Sequence, residues 1–457
     1  MRCFILSGMI TMLLISFVSC KKEFHPDTQL QASQNNFAIK ANKPNIILII
    51  GDDVGRDIPT YNGGQSYSTP NLDFMAANGK QFPYFFAHPD GPPSRLAMFT
   101  GKYNYRNWIS LGYLQSTSQT FANMFQTAGY STCFTGKWQF DGGDTSIHNH
   151  GFNKYLVFMP FDPKANNGHD QYYRRYKDPY LYQDARYLTD SEVNNKYSED
   201  MFFDYASNFI DSNKNNPFLL VYSHNLVQKP WVPTPDDPEF ATWNPQTDDF
   251  QNSNKSYFPS MVAYMDKIVG KIINKVQSAG LAQNTLIIFT SDNATNGGIT
   301  SMYKGQSVAG AKDSTVFDGI NVPFLAYWPG IVTPGVDTSL VDMTDFFPTF
   351  GDITGASLAP YQPLDGTTFY DNLTGTITAA KQRTTVYCYW PRAYQRKRDL
   401  SYVTNYNYKQ YDSLNGGKFY DIRTDVYEKS PIPANQMTPD EKKAKKTFKV
   451  ILRQPYQ

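Results

Sequence analysis

Cysteine is scarce in this chain of 457 residues, with four in all. Cys3 and Cys20 lie in the first twenty residues, so only Cys133 and Cys388 remain in the body of the protein. Two cysteines so far apart exclude a disulfide framework, although one bridge between them stays open. Cys133 sits in a strand-like run before Gly136 and reads as a small core residue. A charge excess is missing too: 42 Lys and Arg face 41 Asp and Glu, for a net charge of +1. Without a basic stripe, nucleic acid is excluded as a partner. The one N-terminal apolar stretch, residues 9–18, is too short to cross a membrane. No tandem repeat or low-complexity tract is present, which excludes repeat architectures. Aromatics, in contrast, are abundant, with 33 Tyr and 32 Phe. A solvated disordered chain would be poor in them, so this one is globular. Most of these rings belong in a core, while exposed Tyr and Trp suit a carbohydrate-facing surface. The length allows two or three average domains or one large α/β core.

The first twenty residues read as a targeting segment. Arg2 supplies a positive start, residues 9–18 an apolar stretch, and Ser19-Cys20 is followed by Lys21-Lys22. This resembles a bacterial lipoprotein signal in which Cys20 becomes the lipidated first residue. An ordinary cleaved signal is the alternative, because Phe17-Val18-Ser19 is looser than the usual lipoprotein pattern. Residues 1–20 are thus expected to be the signal and 21–43, polar throughout, a flexible tether. The lipoprotein reading places the protein in the bacterial cell envelope, periplasmic or outer-membrane associated, with a membrane contact through Cys20.

Residues 45–50, Asn-Ile-Ile-Leu-Ile-Ile, have no polar alternation and read as a fully buried parallel strand. Gly51, Asp52 and Asp53 follow, at the carboxyl edge where open α/β sheets place ligands. Two adjacent acids there suit a hard cation, although a turn with Asp capping the next helix gives the same pattern. Helices are expected over 69–79 (capped, closed by Gly79), from Ser94 onward, and over 118–128, 197–213 and 257–279. Within the last, Met261, Tyr264, Met265, Ile268, Ile272 and Val276 form one face. Strands are expected over 82–87, 130–135, 218–223, 286–290 and from Phe324 to Gly330. Strands alternating with helices imply crossovers and a mostly parallel sheet. From about residue 375 the pattern changes to short Tyr-rich strands at 384–390, 400–408 and 418–421, with a closing helix over 441–452.

Several separated blocks, in order, carry a family resemblance. After Asp52-Asp53 come Gly91-Pro92-Pro93-Ser94-Arg95 and Thr100-Gly101, then Ala128-Gly129-Tyr130, a strand and Gly136-Lys137-Trp138-Gln139. Further on stand Thr290-Ser291-Asp292-Asn293 and Lys312, the latter in a block where the family's Glu, first Gly and Arg are replaced by Phe317, Asp318 and Asn321. The chain resembles the sulfatase family of the alkaline phosphatase superfamily, arylsulfatase-like, over about residues 43–425. The resemblance implies an α/β fold: an alkaline-phosphatase-like sandwich of a large mostly parallel sheet between helices, with a small C-terminal antiparallel sheet and helix. The expected boundaries are 44–374 for the catalytic-type domain and 375–457 for the C-terminal subdomain.

By residue-for-residue match, Asp52, Asp53, Asp292 and Asn293 are implied to hold a divalent cation. Three carboxylates and an amide oxygen favour Ca²⁺, with Mg²⁺ as the alternative. Lys137 and Lys312 match the family's sulfate-contacting lysines, and Arg95 matches the arginine that steadies the nucleophile loop. The catalytic half departs from the family. Its nucleophile is a Cys or Ser converted to formylglycine, and here that position is Gly91, so no formylglycine is expected. The family's two histidines are Gln139 and Gln228. Imidazole exchanges protons near neutral pH, whereas a carboxamide only donates and accepts hydrogen bonds. His224 and His88 read as structural or pocket histidines, and His148 and His150 as exposed. Two readings follow: a pseudoenzyme that binds metal and a sulfated carbohydrate or other sulfate ester without family-type turnover, or a sulfate- or phosphate-ester hydrolase that uses metal-activated water or Asp90.

Overall fold

The computed structural model describes residues 43–140, 143–158, 174–245, 253–376 and 382–453. Cys20, the signal and all but the last residue of the tether lie outside the described residues. Among the described residues no helix is long and apolar enough to cross a membrane.

The organising element is the strand Asn45–Gly51, buried along its whole length. Side chains alternate across a strand, so this one feeds two cores. Ile46, Leu48 and Ile50 join the core that includes Leu96, Phe99, Phe121, Phe346 and Phe350. Ile47 and Ile49 join the opposite core, with Met75, Phe202, Met261, Met265 and Ile268. Helices therefore cover both faces. The helices Gly91–Thr100, Phe121–Thr127 and Phe346–Thr354 lie on one side, and Pro70–Asn78, Ser198–Ser212 and Phe258–Ser278 on the other.

The main sheet has ten strands. Its spatial order is Gly335–Val336, Lys80–Gln81, Phe324–Tyr327, Thr285–Ser291, Asn45–Gly51, Phe218–Ser223, Ser131–Lys137, Lys154–Phe158, Leu181–Gln183 and Arg186–Tyr187. The five from Thr285–Ser291 to Lys154–Phe158 run parallel, and the Phe324–Tyr327 strand pairs antiparallel beside them. Strands Val386–Trp390, Leu400–Thr404, Tyr408–Tyr411 and Phe419–Asp421 form a separate antiparallel sheet. The helix Pro439–Ile451 packs on it through Phe448 and Leu452, against Val403 and Phe419. The large mostly parallel sheet and the small C-terminal one are therefore both present.

The six apolar positions of the long helix Phe258–Ser278 are all buried, each contributing about 1.5–3 kcal/mol of transfer free energy at full burial. Several expectations need correction. The run 82–87 is not one strand; Lys80–Gln81 and Phe85–Phe86 belong to different sheets, and Pro83 between them has no N–H to give a ladder. The helix expected from Ser94 starts at Gly91, since Asp90 caps it and prolines are tolerated in a first turn. Thr69 makes no capping bond; Asp266, from the long helix, accepts the N–H groups of Asn71 and Leu72 at 3.0 and 2.9 Å instead. The run 400–408 is a hairpin turning at 405–407, with Asn405 Oδ1 accepting the N–H groups of Asn407 and Tyr408. Cys133 and Cys388 are both buried free thiols.

Candidate metal and oxyanion site

Four neighbouring parallel strands deliver the site. Gly51 pairs with Ser291, so Asp52 and Asp292 leave adjacent strand ends side by side. Ile50 pairs with Ser223, and Ser223 with Gly136, which brings the 223–229 loop and Lys137 to the same carboxyl edge. Strand spacing of about 4.8 Å keeps these ends within side-chain reach. Gly136 is required for that approach: its φ is +99°, and a Cβ there would lie 1.7 Å from the Ser223 carbonyl oxygen. Asp53 takes a left-handed backbone, φ 62°, which turns the chain back toward Asp292. Its N–H reaches Asp292 Oδ1 at 3.3 Å.

The cage forms around these acids. Carboxylate oxygens of Asp52, Asp53 and Asp292 lie within 4.8 Å of one another, all buried. Lys137 Nζ donates to Asp52 Oδ2 at 2.6 Å. Lys312 Nζ donates to Asp53 Oδ1 at 2.5 Å, and Asn293 Nδ2 donates to the same oxygen at 2.8 Å. Arg95 Nε donates to Asp292 Oδ2 at 3.0 Å, while its Nη1 reaches Ser223 Oγ at 2.6 Å and the Lys137 carbonyl at 3.2 Å. Asp52 Oδ1, Asp53 Oδ2 and Asn293 Oδ1 remain buried without a donor. Orphaned buried oxygens are costly, and a hard divalent cation satisfies several at once. The three acids thus fit a divalent metal, and Asn293, the fourth residue expected from the sequence, contacts Asp53 and has a buried Oδ1 without a donor.

The electrostatics match a crowded acid cluster. Burial pushes the Asp52 carboxyl up to about 7, with Asp292 and Asp53 adding to the rise and Lys137 opposing it. Burial also acts to raise Asp53, but Lys312 and the Asn293 amide outweigh it and hold Asp53 below its ordinary value. Burial lowers Lys137 against the pull of Asp52. Burial acts to lower Lys312 too, but Asp53 and the neighbouring carboxylates outweigh it and leave Lys312 above the usual lysine value.

Gly91 begins its helix beside the cage. A Cβ on Gly91 would point at Asp292 Oδ2, 2.6 Å away, and at Asn293 Oδ1, 3.2 Å away. The expected nucleophile position therefore faces Asp292 and Asn293 at close range, and a side chain there would require Asp292 Oδ2 to shift. Asp90 is committed elsewhere: Oδ1 accepts the Gly91 N–H at 2.8 Å and Oδ2 accepts the Tyr394 hydroxyl. Gln228 Oε1 accepts Lys137 Nζ at 2.9 Å. Gln139 has a left-handed backbone, φ 64°, and a buried Oε1 with no partner. Among the described residues no hydrogen bond ties its side chain to the cage.

The histidines divide. His224 Nδ1 meets Glu199 Oε2 at 2.8 Å, and Glu199 also holds the Tyr222 hydroxyl and the Asn225 N–H, a structural arrangement. His88 is buried, and burial depresses it to about 3. His148 is exposed as expected, but His150 is buried. Its ring nitrogens meet the carbonyls of Ser146, at 2.5 Å, and Gln115, at 3.0 Å, which draw the ring inward. Sequence reasoning missed Arg175, whose Nη1 also donates to Gln228 Oε1. No motif surrounds Arg175, and only its position beside Gln228 in space marks it.

A family model described as Sulfatase matches residues 44–356. The chain belongs to the sulfatase family. Arylsulfatase G of Rattus norvegicus is 30% identical over 372 residues, covering 72% of this chain and 68% of that one. N-acetylgalactosamine-6-sulfatase of Homo sapiens is 30% identical over 360 residues, covering 71% of this chain and 64%, just under two thirds, of its own length. Among solved structures, Ps i-CgsB in complex with k-i-k-neocarrahexaose is 25% identical with a TM-score of 0.69, covering 85% of this chain and 88% of that one. The large mostly parallel sheet and the small C-terminal one are thus those of a sulfatase-family fold.

Proposed function

We propose that this sulfatase-family chain holds a divalent cation, Ca²⁺ or Mg²⁺, in the Asp52–Asp53–Asp292–Asn293 cage and binds a sulfated glycan there without family-type turnover. One observation carries the reading: Gly91, which has no side chain to act as a nucleophile, lies directly against Asp292 and Asn293. The cation would supply charge to draw and orient a sulfate ester. Lys137, Lys312 and Arg95 surround the same acids and add positive charge, with Lys137 and Arg95 buried and Lys312 partly exposed. Gln139 and Gln228 can orient ligand oxygens but cannot pass protons. Losing a covalent nucleophile alone costs on the order of 10⁶ in kcat. Both Asp90 oxygens are already engaged, which disfavours Asp90 as a replacement nucleophile. A relative named for a sulfated amino sugar and a neighbour solved with an oligosaccharide support a glycan ligand. The N-terminal pattern through Cys20 supports a lipid-anchored protein of the bacterial envelope.

The test is calorimetry of the purified protein with Ca²⁺ and sulfated oligosaccharides, beside sulfate and phosphate release from aryl esters. Saturable, Ca²⁺-dependent binding without release is expected. Ester hydrolysis that disappears in Asp53→Ala would replace this reading with the hydrolase one.

A further inference from the structure

The buried cation missed in the sequence bears on what the site grips. Arg175 is only 4% exposed. Its guanidinium lies over the Phe158 ring, 5.3 Å from the centroid. Nη1 donates to Gln228 Oε1 and, at 2.9 Å, to the Lys229 carbonyl, while Nε is buried without an acceptor. Among the described residues no carboxylate lies within ion-pair distance of it. The next residue fixes the loop it faces: the Tyr176 hydroxyl contacts the Asn225 and Gln228 carbonyls at 2.7 and 2.6 Å.

Gln228 Oε1 is therefore shared by two cations, Lys137 Nζ at 2.9 Å and Arg175 Nη1. Lys137 also has Asp52 at 2.6 Å, but for Arg175 neutral oxygens are a poor counterpart, since a buried charge needs an opposite charge as well as hydrogen bonds. Lys137, Lys312 and Arg95 each have a carboxylate partner, Asp52, Asp53 and Asp292 in turn, whereas Arg175 meets only neutral oxygens. A divalent ion in the cage would add positive charge near Arg175 without supplying it a counter-charge. What is missing is an anion with several acceptor oxygens, which a guanidinium fork and an ammonium hold by charge-assisted bonds.

We propose that Arg175, with Lys137 and Gln228, forms an oxyanion clamp beside the cation cage that grips the tetrahedral sulfate or phosphate end of the ligand. This rests on the proposed function and adds the residue that turns the former proton-transfer corner into a holding one. Sulfate and phosphate offer the same tetrahedral oxygens, so separate titrations distinguish them.

The experiment titrates inorganic sulfate and, separately, inorganic phosphate into the whole protein with saturating Ca²⁺. Ca²⁺ affinity and melting temperature are measured alongside for wild type, Arg175→Gln, Arg175→Lys and Gln228→Glu. Wild type is expected to bind at least one of the anions. Arg175→Gln should weaken that binding by roughly tenfold or more while Ca²⁺ affinity stays within about twofold, and Arg175→Lys should recover part of the loss. Gln228→Glu places a carboxylate between the two cations, so it should raise the melting temperature and abolish anion binding. That variant decides the matter should Arg175→Gln fail to fold. Unchanged anion affinity in a folded Arg175→Gln, or in Gln228→Glu, would overturn the clamp and leave the proposed function standing. A wild type that binds Ca²⁺ but neither anion would overturn both.

Discussion

Two halves of one sheet edge differ in what they kept. On the Asn45–Gly51 and Thr285–Ser291 side, every oxygen donor of the cation cage is in place, and three of those oxygens are buried without a proton donor. On the Ser131–Lys137 and Phe218–Ser223 side, the polar side chains that follow the strands are Gln139 and Gln228, carboxamides that do not change protonation state, and Gly91, facing Asp292 and Asn293, has no side chain. On the proposed function, the contrast separates holding from reacting. Holding needs charge and fixed oxygens, which the strand ends supply directly. Reacting needs groups that change protonation state, which Gln139 and Gln228 cannot do.

The sharpest way to break this contrast is to ask whether the reactive half can be restored alone. Gly91→Cys, even in a host that oxidises the residue, is expected to give no sulfate release, because Gln139 and Gln228 still cannot exchange protons. The triple variant with Gln139→His and Gln228→His should gain measurable aryl sulfate turnover. Equal turnover from the single and triple variants, in a colorimetric assay, would show that the glutamines do not matter.

Next in size is the cage. Asp53→Asn should weaken Ca²⁺ binding by at least roughly a hundredfold in calorimetry, since it removes a charged ligand from a rigid oxygen set. It also leaves Lys312 without its buried partner, so a lower melting temperature is expected. Unaltered Ca²⁺ affinity would place the ion elsewhere.

A smaller effect comes from His88, beside the nucleophile loop. Its folded value, about 3, lies below the ordinary histidine value of 6.5 because burial disfavours the cation. As pH falls below 6.5 the unfolded chain takes up a proton that the folded chain refuses, so this contribution to stability declines with falling pH until about pH 3. Between pH 7 and 5 the loss should reach about 2 kcal/mol. His88→Gln should remove that part of the slope in denaturant unfolding, and an identical slope would show a solvated His88. The smallest effect belongs to Gln139, whose side chain has no bond to the cage. Gln139→Ala should leave Ca²⁺ affinity within about twofold, a result a metal ligand would not give.

Much of this arrangement was legible in the sequence because it is periodic or local. Residues 45–50 announce a doubly buried strand by lacking polar alternation, and 257–279 announce a helix by the spacing of six apolar residues. The cage was readable because its acids follow directly on such strands. Long-range partners were not. Thr69 looked like a cap, but Asp266, nearly two hundred residues away, does that work. His150 looked exposed until the carbonyls of Ser146 and Gln115 enclosed it. Arg175 has no pattern around it, and only the folding of the Phe218–Ser223 strand beside Ser131–Lys137 reveals Gln228 as its neighbour. Within elements, Pro83 and the 405–407 turn divided runs that read as single strands, because apolar content alone does not report where a ladder loses its donors.

The central claim is that the cation cage persists while ester cleavage does not. The most direct measurement titrates a sulfated oligosaccharide into the Ca²⁺-loaded protein and assays the same mixture for free sulfate. The account predicts a saturable isotherm that vanishes with chelator and no sulfate above the protein-free control. Sulfate release that requires Asp53 would contradict it.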